Sequence, residues 1–293
     1  MRYDLHTHSN CSDGVLPPAE VVARAARAGL DGIALTDHDT TRGLDEARAA
    51  GGTLGIDVLV GCEVSAGWRA GPVHVLAYFV DPGHPRWVEE LRWITDDRVL
   101  RAEKIVERLS ELGSPVTMAQ VLRIAGDASV GRPHIAQAMV EVGTVPTTLD
   151  AFTPDWIADG GRAYVPKRVM GPHDTVELII QAGGVAVMAH PIWIERDGRG
   201  GSEALIEECA ALGMAGIEVE HPDHTEPDRQ RYRKVAERLG LIATGASDFH
   251  GNLHGGGLGT DWSSEAIVEA LRARAGSTVD AGARAARTRD QAG

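Results

Sequence analysis

The sequence contains few cysteines and no long apolar run. Its three cysteines, Cys11, Cys62 and Cys209, form no CxxC pair, which argues for reduced thiols rather than a disulfide framework. No apolar run reaches the ~20 residues that a helix needs to span a bilayer. Met1 lies directly before a strand-like segment, which leaves no room for a cleavable signal. We therefore expect a cytoplasmic protein that does not contact a membrane.

Basic residues are scarce relative to acidic ones. The chain has 29 lysines and arginines against 42 aspartates and glutamates, a net charge of −13, so its surface as a whole does not attract a long nucleic-acid duplex. A small anionic substrate is not excluded, because bound divalent ions invert the electrostatics of a site rich in carboxylates. The 293 residues, 43% of them hydrophobic, suffice for one barrel domain with an insertion.

Two histidines at the end of a short apolar segment give the first indication of a functional site. His6 and His8 are separated by one residue, and side chains two apart on a strand point to the same side. Both imidazoles can therefore bind one metal ion, although the pair alone is equally typical of polar residues at a strand end. The arrangement recurs where strand-like runs meet Asp37-His38-Asp39, Glu63, His74, His190 and Asp248-Phe249-His250.

Stretches with helical spacing lie between these strand-like runs. Strands that alternate with helices are typical of parallel strands joined by right-handed crossovers. Ligands from many parallel strands can meet only if the sheet curls into a barrel, whose functional groups gather at the carboxyl ends of the strands. The sequence therefore predicts an α/β fold, a distorted barrel of strands and helices.

The alternation stops over residues 85–159, where apolar residues such as Trp87, Leu91 and Ile94 recur at helical intervals. This pattern indicates a helical insertion that could cover the site. We predict a first barrel part over residues 1–84, the insertion over 85–159, a second barrel part over 160–280 and a flexible tail over 281–293. The second barrel part is expected to begin with a strand near residues 163–165.

The motifs resemble those of the polymerase and histidinol phosphatase (PHP) family. The matching segments are His6-Thr7-His8, Ser12-Asp13-Gly14, Thr36-Asp37-His38-Asp39, Gly61-Cys62-Glu63, His74, Ala189-His190-Pro191 and Ser247-Asp248-Phe249-His250. Within the family the chain resembles the stand-alone bacterial phosphoesterases, some of which hydrolyse nucleoside 3′,5′-bisphosphates or trim short RNA. A Gly131-Arg132-Pro133-His134-Ile135-Ala136 segment in the predicted insertion supports that placement. The resemblance implies a distorted (β/α)7-type PHP barrel with a helical insertion.

The resemblance also implies a catalytic cluster of two or three divalent metal ions. The implied ligands are His6, His8, Glu63 and Asp248 for one ion; Glu63, His74 and His190 for a second; and Asp13, His38 and His250 for a third. Mixed imidazole and carboxylate ligation together with the resemblance favours Mn2+, with Fe2+ or Zn2+ as alternatives.

Such a cluster is suited to phosphate ester hydrolysis. Metal ions a few ångströms apart lower the pKa of a shared water, so that hydroxide exists at neutral pH, and they hold the oxygens of an in-line phosphoryl displacement. We find no serine or cysteine with a partner residue that would activate it as a nucleophile, so the sequence does not indicate a covalent intermediate. His221, which follows a strand-like run, and a metal-bound water are both candidates for the general acid.

Four residues outside the ligand set are predicted to contact the substrate: Arg132, His134, Lys167 and His221. An arginine can donate two parallel hydrogen bonds to a phosphate, and a helix that begins near His134 also favours an anion. Lys167 would add a positive charge from the barrel. Without the surrounding motif, Arg132 would be interpreted as an ordinary exposed arginine.

The leading interpretation is a metal-dependent hydrolase of small phosphorylated nucleotides, above all nucleoside 3′,5′-bisphosphates, with 5′–3′ trimming of short RNA as a neighbouring activity. A second interpretation keeps the metals but changes the substrate to another small phosphate ester, such as histidinol phosphate, or to an amide-like bond as in amidohydrolases. A third, a non-catalytic metal-stabilised module, fits poorly because a structural site needs only about four ligands. The sequence predicts no obligate protein partner, and it leaves the oligomeric state and nucleobase preference open.

Overall fold

A computed structural model describes residues 1–69, 71–126, 130–166, 170–251 and 257–275. The predicted tail, 281–293, lies outside the described residues. The chain divides into two compact units, one formed by Met1–Glu89 with the chain from Met170 onwards and the other by Glu90–Val169. None of the helices in the described part of the chain is both long and apolar enough to cross a membrane.

Eight strands form one sheet in the first unit. They are β1 (Arg2–Thr7), β2 (Gly32–Leu35), β3 (Asp57–Trp68), β4 (Gly71–Tyr78), β5 (Val185–Met188), β6 (Gly216–Glu220), β7 (Ile242–Gly245) and β8 (Ser263–Ser264). Their order in the sheet is β7-β6-β5-β4-β3-β2-β1-β8. The chain after β7 returns to β1, where Phe249 pairs with Thr7 and its carbonyl accepts a hydrogen bond from the His8 amide at 2.8 Å. The sheet is therefore a nearly closed barrel, and the predicted barrel fold is confirmed.

Helices connect the strands and also fill the second unit. They are α1 (Pro18–Arg27), α2 (Leu44–Leu54), α3 (Pro85–Glu111), α4 (Met118–Ala125), α5 (Arg132–Glu141), α6 (Thr148–Ala151), α7 (Pro172–Gln181), α8 (Ile192–Arg196), α9 (Ser202–Ala211), α10 (Glu226–Leu239) and α11 (265–275). Local sequence explains the helix starts: prolines occupy the first turn of α1, α5 and α7, and Thr117 with Gln120 forms a capping box before α4.

Strand β4 departs from the expected all-parallel arrangement. It is antiparallel to both β3 and β5, whereas the pairs β1–β2, β2–β3, β5–β6 and β6–β7 are parallel. The reason is the short connection after β3, because Trp68 pairs directly with Gly71 and a parallel pair would need a crossover of a dozen or more residues. The hairpin places His74 opposite Ser65, in the first half of β4.

Strand β3 also runs further than expected. We predicted Glu63 at a strand end, but β3 continues to Trp68, so Glu63 lies inside the strand. A glycine allows β3 to approach β2 closely at this point: a Cβ on Gly61 would lie 2.7 Å from the Leu35 carbonyl oxygen. This approach brings Glu63 beside the residues that follow β2, and His38 forms an isolated bridge with it.

The second unit, Glu90–Val169, is helical and has its own core. Residues such as Ile105, Leu109, Ile135 and Met139 pack together in it. The strand expected near residues 163–165 is not formed: the described residues 161–166 are turn and irregular structure. The backbone groups of this segment bond within the helical unit instead of to a sheet: the Ala163 amide donates to the Trp156 carbonyl at 2.9 Å, and Arg101 Nε donates to the Val165 carbonyl at 2.7 Å.

Asp4 on β1 connects the first strand of the barrel to segments near the end of the barrel sequence. Its side chain is fully buried and accepts hydrogen bonds from the Ser247 amide (2.9 Å), the Ser247 hydroxyl (2.6 Å) and the Gly259 amide (2.9 Å). Burial raises the pKa of Asp4 to about 6, although these donors oppose the shift. The Asp4 carboxylate therefore fixes the loop that carries Asp248 and His250 against β1.

We expect Asp4→Ala to lower the free energy of unfolding by about 3 kcal/mol, because several buried donors lose their acceptor at once. Denaturant unfolding measures the change. The matched control is Asp45→Ala, an exposed aspartate in the first turn of α2, where the loss should be about 0.5 kcal/mol. Equal losses for the two variants would show that Asp4 does not brace the barrel.

Candidate metal centre

The predicted ligands lie together at one end of the barrel. His6 and His8 come from the end of β1, Asp13 from the loop after it, His38 from the segment after β2, Glu63 from β3, His74 from β4, His190 from the segment after β5, and Asp248 and His250 from the loop after β7. Contacts of 3.6 Å or less between imidazole nitrogens and carboxylate oxygens connect all of them.

Glu63 occupies the middle of this cluster. Its Oε2 lies 3.1 Å from His6 Nε2 and 3.2 Å from both His8 Nε2 and His38 Nδ1. Its Oε1 faces a different pair, His74 Nδ1 at 2.9 Å and His190 Nε2 at 3.0 Å. Each carboxylate oxygen thus meets its own set of imidazoles.

The described part of the chain contains four groups of possible metal ligands, and within each group the ligand atoms lie within 4.8 Å of one another. One is His6, Glu218 and His221, and the other three consist of predicted ligands. These three are His6, His8, Glu63 and Asp248; His38, Glu63 and His74; and His8, Asp13, His38 and His250. The first matches the set that we predicted for one ion. In the other two, His38 contacts both Glu63 and Asp13, so the imidazole lies between two groups instead of belonging to one.

The chemistry of the donor set fits divalent metal ions. Buried atoms that have no hydrogen-bond partner in the described part of the chain include His6 Nε2, His8 Nε2, His38 Nδ1, His74 Nδ1 and Asp248 Oδ1. Such atoms are costly unless a ligand satisfies them. Two ligand atoms that lie ~2.1 Å from a shared ion and at right angles to each other are separated by about 3 Å. The separations around Glu63 agree with that value.

The charges of the cluster depend on one another. Burial alone would raise the pKa of Glu63, but the imidazoles around it outweigh burial and hold the pKa well below its usual range. Burial lowers the pKa of His38 to about 3, so the positive charge that Glu63 meets comes above all from His6, whose pKa is raised by the carboxylates around it. Burial likewise opposes protonation of His8, yet the nearby carboxylates of Asp248, Glu63 and Asp13 raise its pKa to about 10. Protons therefore neutralise the carboxylates when no metal is bound, and metal binding must release them.

Two ligands have strained backbones. His190 has φ of 24° and Asp248 has φ of 51°, values that residues with a Cβ rarely adopt. His190 lies two residues after the end of β5, and Asp248 lies three residues after the end of β7. Such strain persists where the surrounding structure overdetermines it, and it is concentrated at functional sites.

Glu218, on β6, is a functional residue that the sequence analysis missed. Its buried Oε1 lies 3.0 Å from His6 Nδ1, and its Oε2 accepts a hydrogen bond from the His190 amide at 2.7 Å. A carboxylate at His6 Nδ1 fixes the proton there and leaves Nε2 as a lone-pair donor to a metal. The signal in the sequence was an acidic residue between Ile217 and Val219 in a buried strand.

The sequence is similar to those of known proteins. The PHP domain family model matches residues 4–85. The chain is 37% identical over 254 residues to the 3′,5′-nucleoside bisphosphate phosphatase of Chromobacterium violaceum, covering 86% of this chain and 88% of that protein. It is 34% identical over 249 residues to the 5′-3′ exoribonuclease of Haemophilus influenzae, covering 85% and 90%.

The chain belongs to the PHP family. The barrel also superposes on a Bifidobacterium adolescentis crystal structure described as a metal-dependent phosphoesterase, with a TM-score of 0.84, 34% identity, and coverage of 93% of this chain and 96% of that one. The predicted family membership is therefore confirmed.

His221 lies beside the cluster of predicted ligands. Its Nδ1 accepts a hydrogen bond from the Asp223 amide at 3.1 Å, and its buried Nε2 lies 3.8 Å from Asp248 Oδ2. Its ring centroid is 5.5 Å from that of His190. The structure thus brings together His221 and the ligand set, as the strand-end position predicted.

Two further predicted substrate contacts, Arg132 and His134, lie in the helical unit. Arg132 Nη1 donates to Asp159 Oδ1 at 2.7 Å and to the Ile157 carbonyl at 3.1 Å. His134 Nδ1 accepts a hydrogen bond from the Gly131 amide at 3.1 Å, at the start of α5. Lys167 lies outside the described residues, so its predicted role stays a prediction.

We expect Glu218→Gln to weaken Mn2+ binding ~10- to 100-fold, since the amide removes the carboxylate that fixes the His6 tautomer. Competition against a fluorescent chelator measures the affinity. The matched control is Glu220→Gln, two residues further along β6, where the carboxylate pairs with Arg229 and Arg233. Affinity equal to that of the wild type in both variants would contradict the role of Glu218.

Proposed function

We propose that this PHP protein is a metal-dependent phosphoesterase that removes phosphate from nucleoside 3′,5′-bisphosphates, with 5′–3′ trimming of short RNA as a neighbouring activity. The observation that carries the proposal is the Glu63 carboxylate, whose two oxygens face two different sets of imidazoles. A structural metal site would need only about four closed ligands, whereas this cluster joins three groups. The names of the relatives from C. violaceum and H. influenzae support the substrate class.

The nine ligands predicted from the sequence would hold two or three ions, with Mn2+ as the proposed metal. Glu63, His6, His8 and Asp248 would hold one ion, and Glu63 with the remaining ligands would hold the others. Bound there, the ions would supply positive charge that polarises a phosphate ester and activates water for attack. Glu218 would keep His6 in the tautomer that binds metal through Nε2, and the 3.0 Å contact between Glu218 Oε1 and His6 Nδ1 supports this role.

The protein contributes orientation and proton transfer around this centre. His221 is the proposed general acid, because its Nε2 is buried, has no hydrogen-bond partner in the described part of the chain, and lies next to Asp248. Arg132 is the proposed phosphate-binding residue of the helical unit. Its bonds to Asp159 and Ile157 use one nitrogen, and a guanidinium has five N–H donors. His134 and Lys167 are proposed to assist it.

The experiment that tests this function is a phosphate-release assay of the purified, Mn2+-loaded protein. We expect a higher kcat/KM for adenosine 3′,5′-bisphosphate than for AMP or histidinol phosphate, slower release from a short RNA, and loss of all activity with a chelator. His250→Ala should reduce kcat by at least about 100-fold if a fully assembled cluster stabilises the transition state. The control is His173→Ala, an exchange at a half-exposed histidine paired with Glu208.

Two results would contradict the proposal. Preference for histidinol phosphate would replace the nucleotide substrate with another small phosphate ester. If the protein with bound metal releases phosphate from none of these esters, an amidohydrolase-like reaction would be favoured.

A further inference from the structure

Trp193 lies at the border between the metal centre and solvent. It is on the short helix α8, three residues after the proposed ligand His190, and the centroids of the indole and imidazole rings are 5.0 Å apart with a tilt of 38°. His190 is only 6% exposed, whereas Trp193 is 40% exposed. A large apolar surface is thus presented to solvent next to buried, charged ligands.

Hydrogen bonds hold the indole in place. Its Nε1 donates to Asp223 Oδ2 at 2.8 Å, and the Asp223 carbonyl in turn accepts a hydrogen bond from Arg196 at 2.5 Å. The Asp223 amide donates to His221 Nδ1, so the same residue links the indole to the proposed general acid. The orientation of Trp193 is therefore set by two elements, α8 and the loop after β6, that also border the metal centre.

An exposed aromatic ring held in a fixed orientation is suited to stacking. Bases of single-stranded nucleic acids and nucleotides stack on such rings because every base has a π-face. The indole loses little conformational entropy when it binds a base, since its orientation is already fixed. The only polar group of the indole, its N–H, donates to Asp223. The exposed part of the ring is therefore available to an apolar or aromatic partner.

We propose that Trp193 is the residue on which the nucleobase of the substrate stacks while a phosphate of the same nucleotide reaches the metal centre. This inference rests on the proposed function and deepens it. It names one side chain, Trp193, by which the protein would distinguish nucleotides from phosphate esters that have no base. The residue acts through binding and not through chemistry, so its substitution changes KM for substrates that have a base.

The test compares Trp193→Ala and Trp193→Phe with the wild type on two substrates, adenosine 3′,5′-bisphosphate and its base-free analogue, in which hydrogen replaces the adenine. We expect Trp193→Ala to raise KM for the nucleotide at least about fivefold, the lower limit that stacking supplies, and to leave KM for the analogue unchanged. Trp193→Phe retains a ring and should stay within about threefold of the wild type for both substrates.

Trp262→Ala is the matched control. Trp262 is 43% exposed, and it directly precedes β8, which pairs with Arg2 and Tyr3 at the opposite end of β1 from His6 and His8. Its loss should change neither KM. An equal rise of KM for the nucleotide and the analogue in Trp193→Ala would overturn the proposal, because it would indicate a structural role beside His190.

A second measurement separates this inference from the proposed function. Titration with AMP should quench the part of the tryptophan fluorescence that is absent in Trp193→Phe, and ribose 5-phosphate should not. If the loaded wild type releases phosphate from neither substrate, the proposed function fails, and quenching by AMP alone would still support the stacking role. Quenching by both ligands, or by neither, would overturn it.

Discussion

The buried carboxylate of Glu63 is the constraint on which the site depends. It lies on β3 with five imidazoles around it, at 2.9–3.2 Å from its two oxygens. A buried carboxylate is tolerated only when positive charge and hydrogen-bond donors or metal ions surround it. Because those imidazoles come from the end of β1, from the segments after β2 and β5, and from β4, satisfying this single group requires that the neighbouring strands β1 to β5 curl around it.

A layer of buried acidic residues holds the ligands from behind. Glu218 contacts His6 and the His190 amide, and Asp4 binds the loop that carries Asp248. Asp37 accepts hydrogen bonds from the Ser9 amide and hydroxyl and from Ser12, which fixes the chain that follows His8. Asp39 accepts two hydrogen bonds from Ser65 on β3. Each of these side chains is therefore held in its orientation toward the centre before a metal binds.

Most of the proposed ligands could be placed in one cluster from the sequence because they follow buried strand-like runs, and strand ends meet at one end of a barrel. Their assignment to ion sites came from the family resemblance, and the strand-end rule does not explain Glu63 and His74, which lie inside β3 and β4. The antiparallel direction of β4 could not be predicted, since periodicity identifies a strand but not its direction. Glu218 was missed because its role depends on His6, 212 residues away along the chain. The expected strand near residues 163–165 was wrong because its few apolar residues pack in the helical unit, where Ala163 and Val165 are buried.

The most direct test of the central claim is an anomalous difference map from crystals grown with Mn2+. We expect one peak among Glu63 Oε2, His6, His8 and Asp248, and a second beside Glu63 Oε1 near His74 and His190. A map from crystals of active protein without a peak within coordination distance of Glu63 would contradict the bridging role of this carboxylate, and with it the proposed catalytic centre.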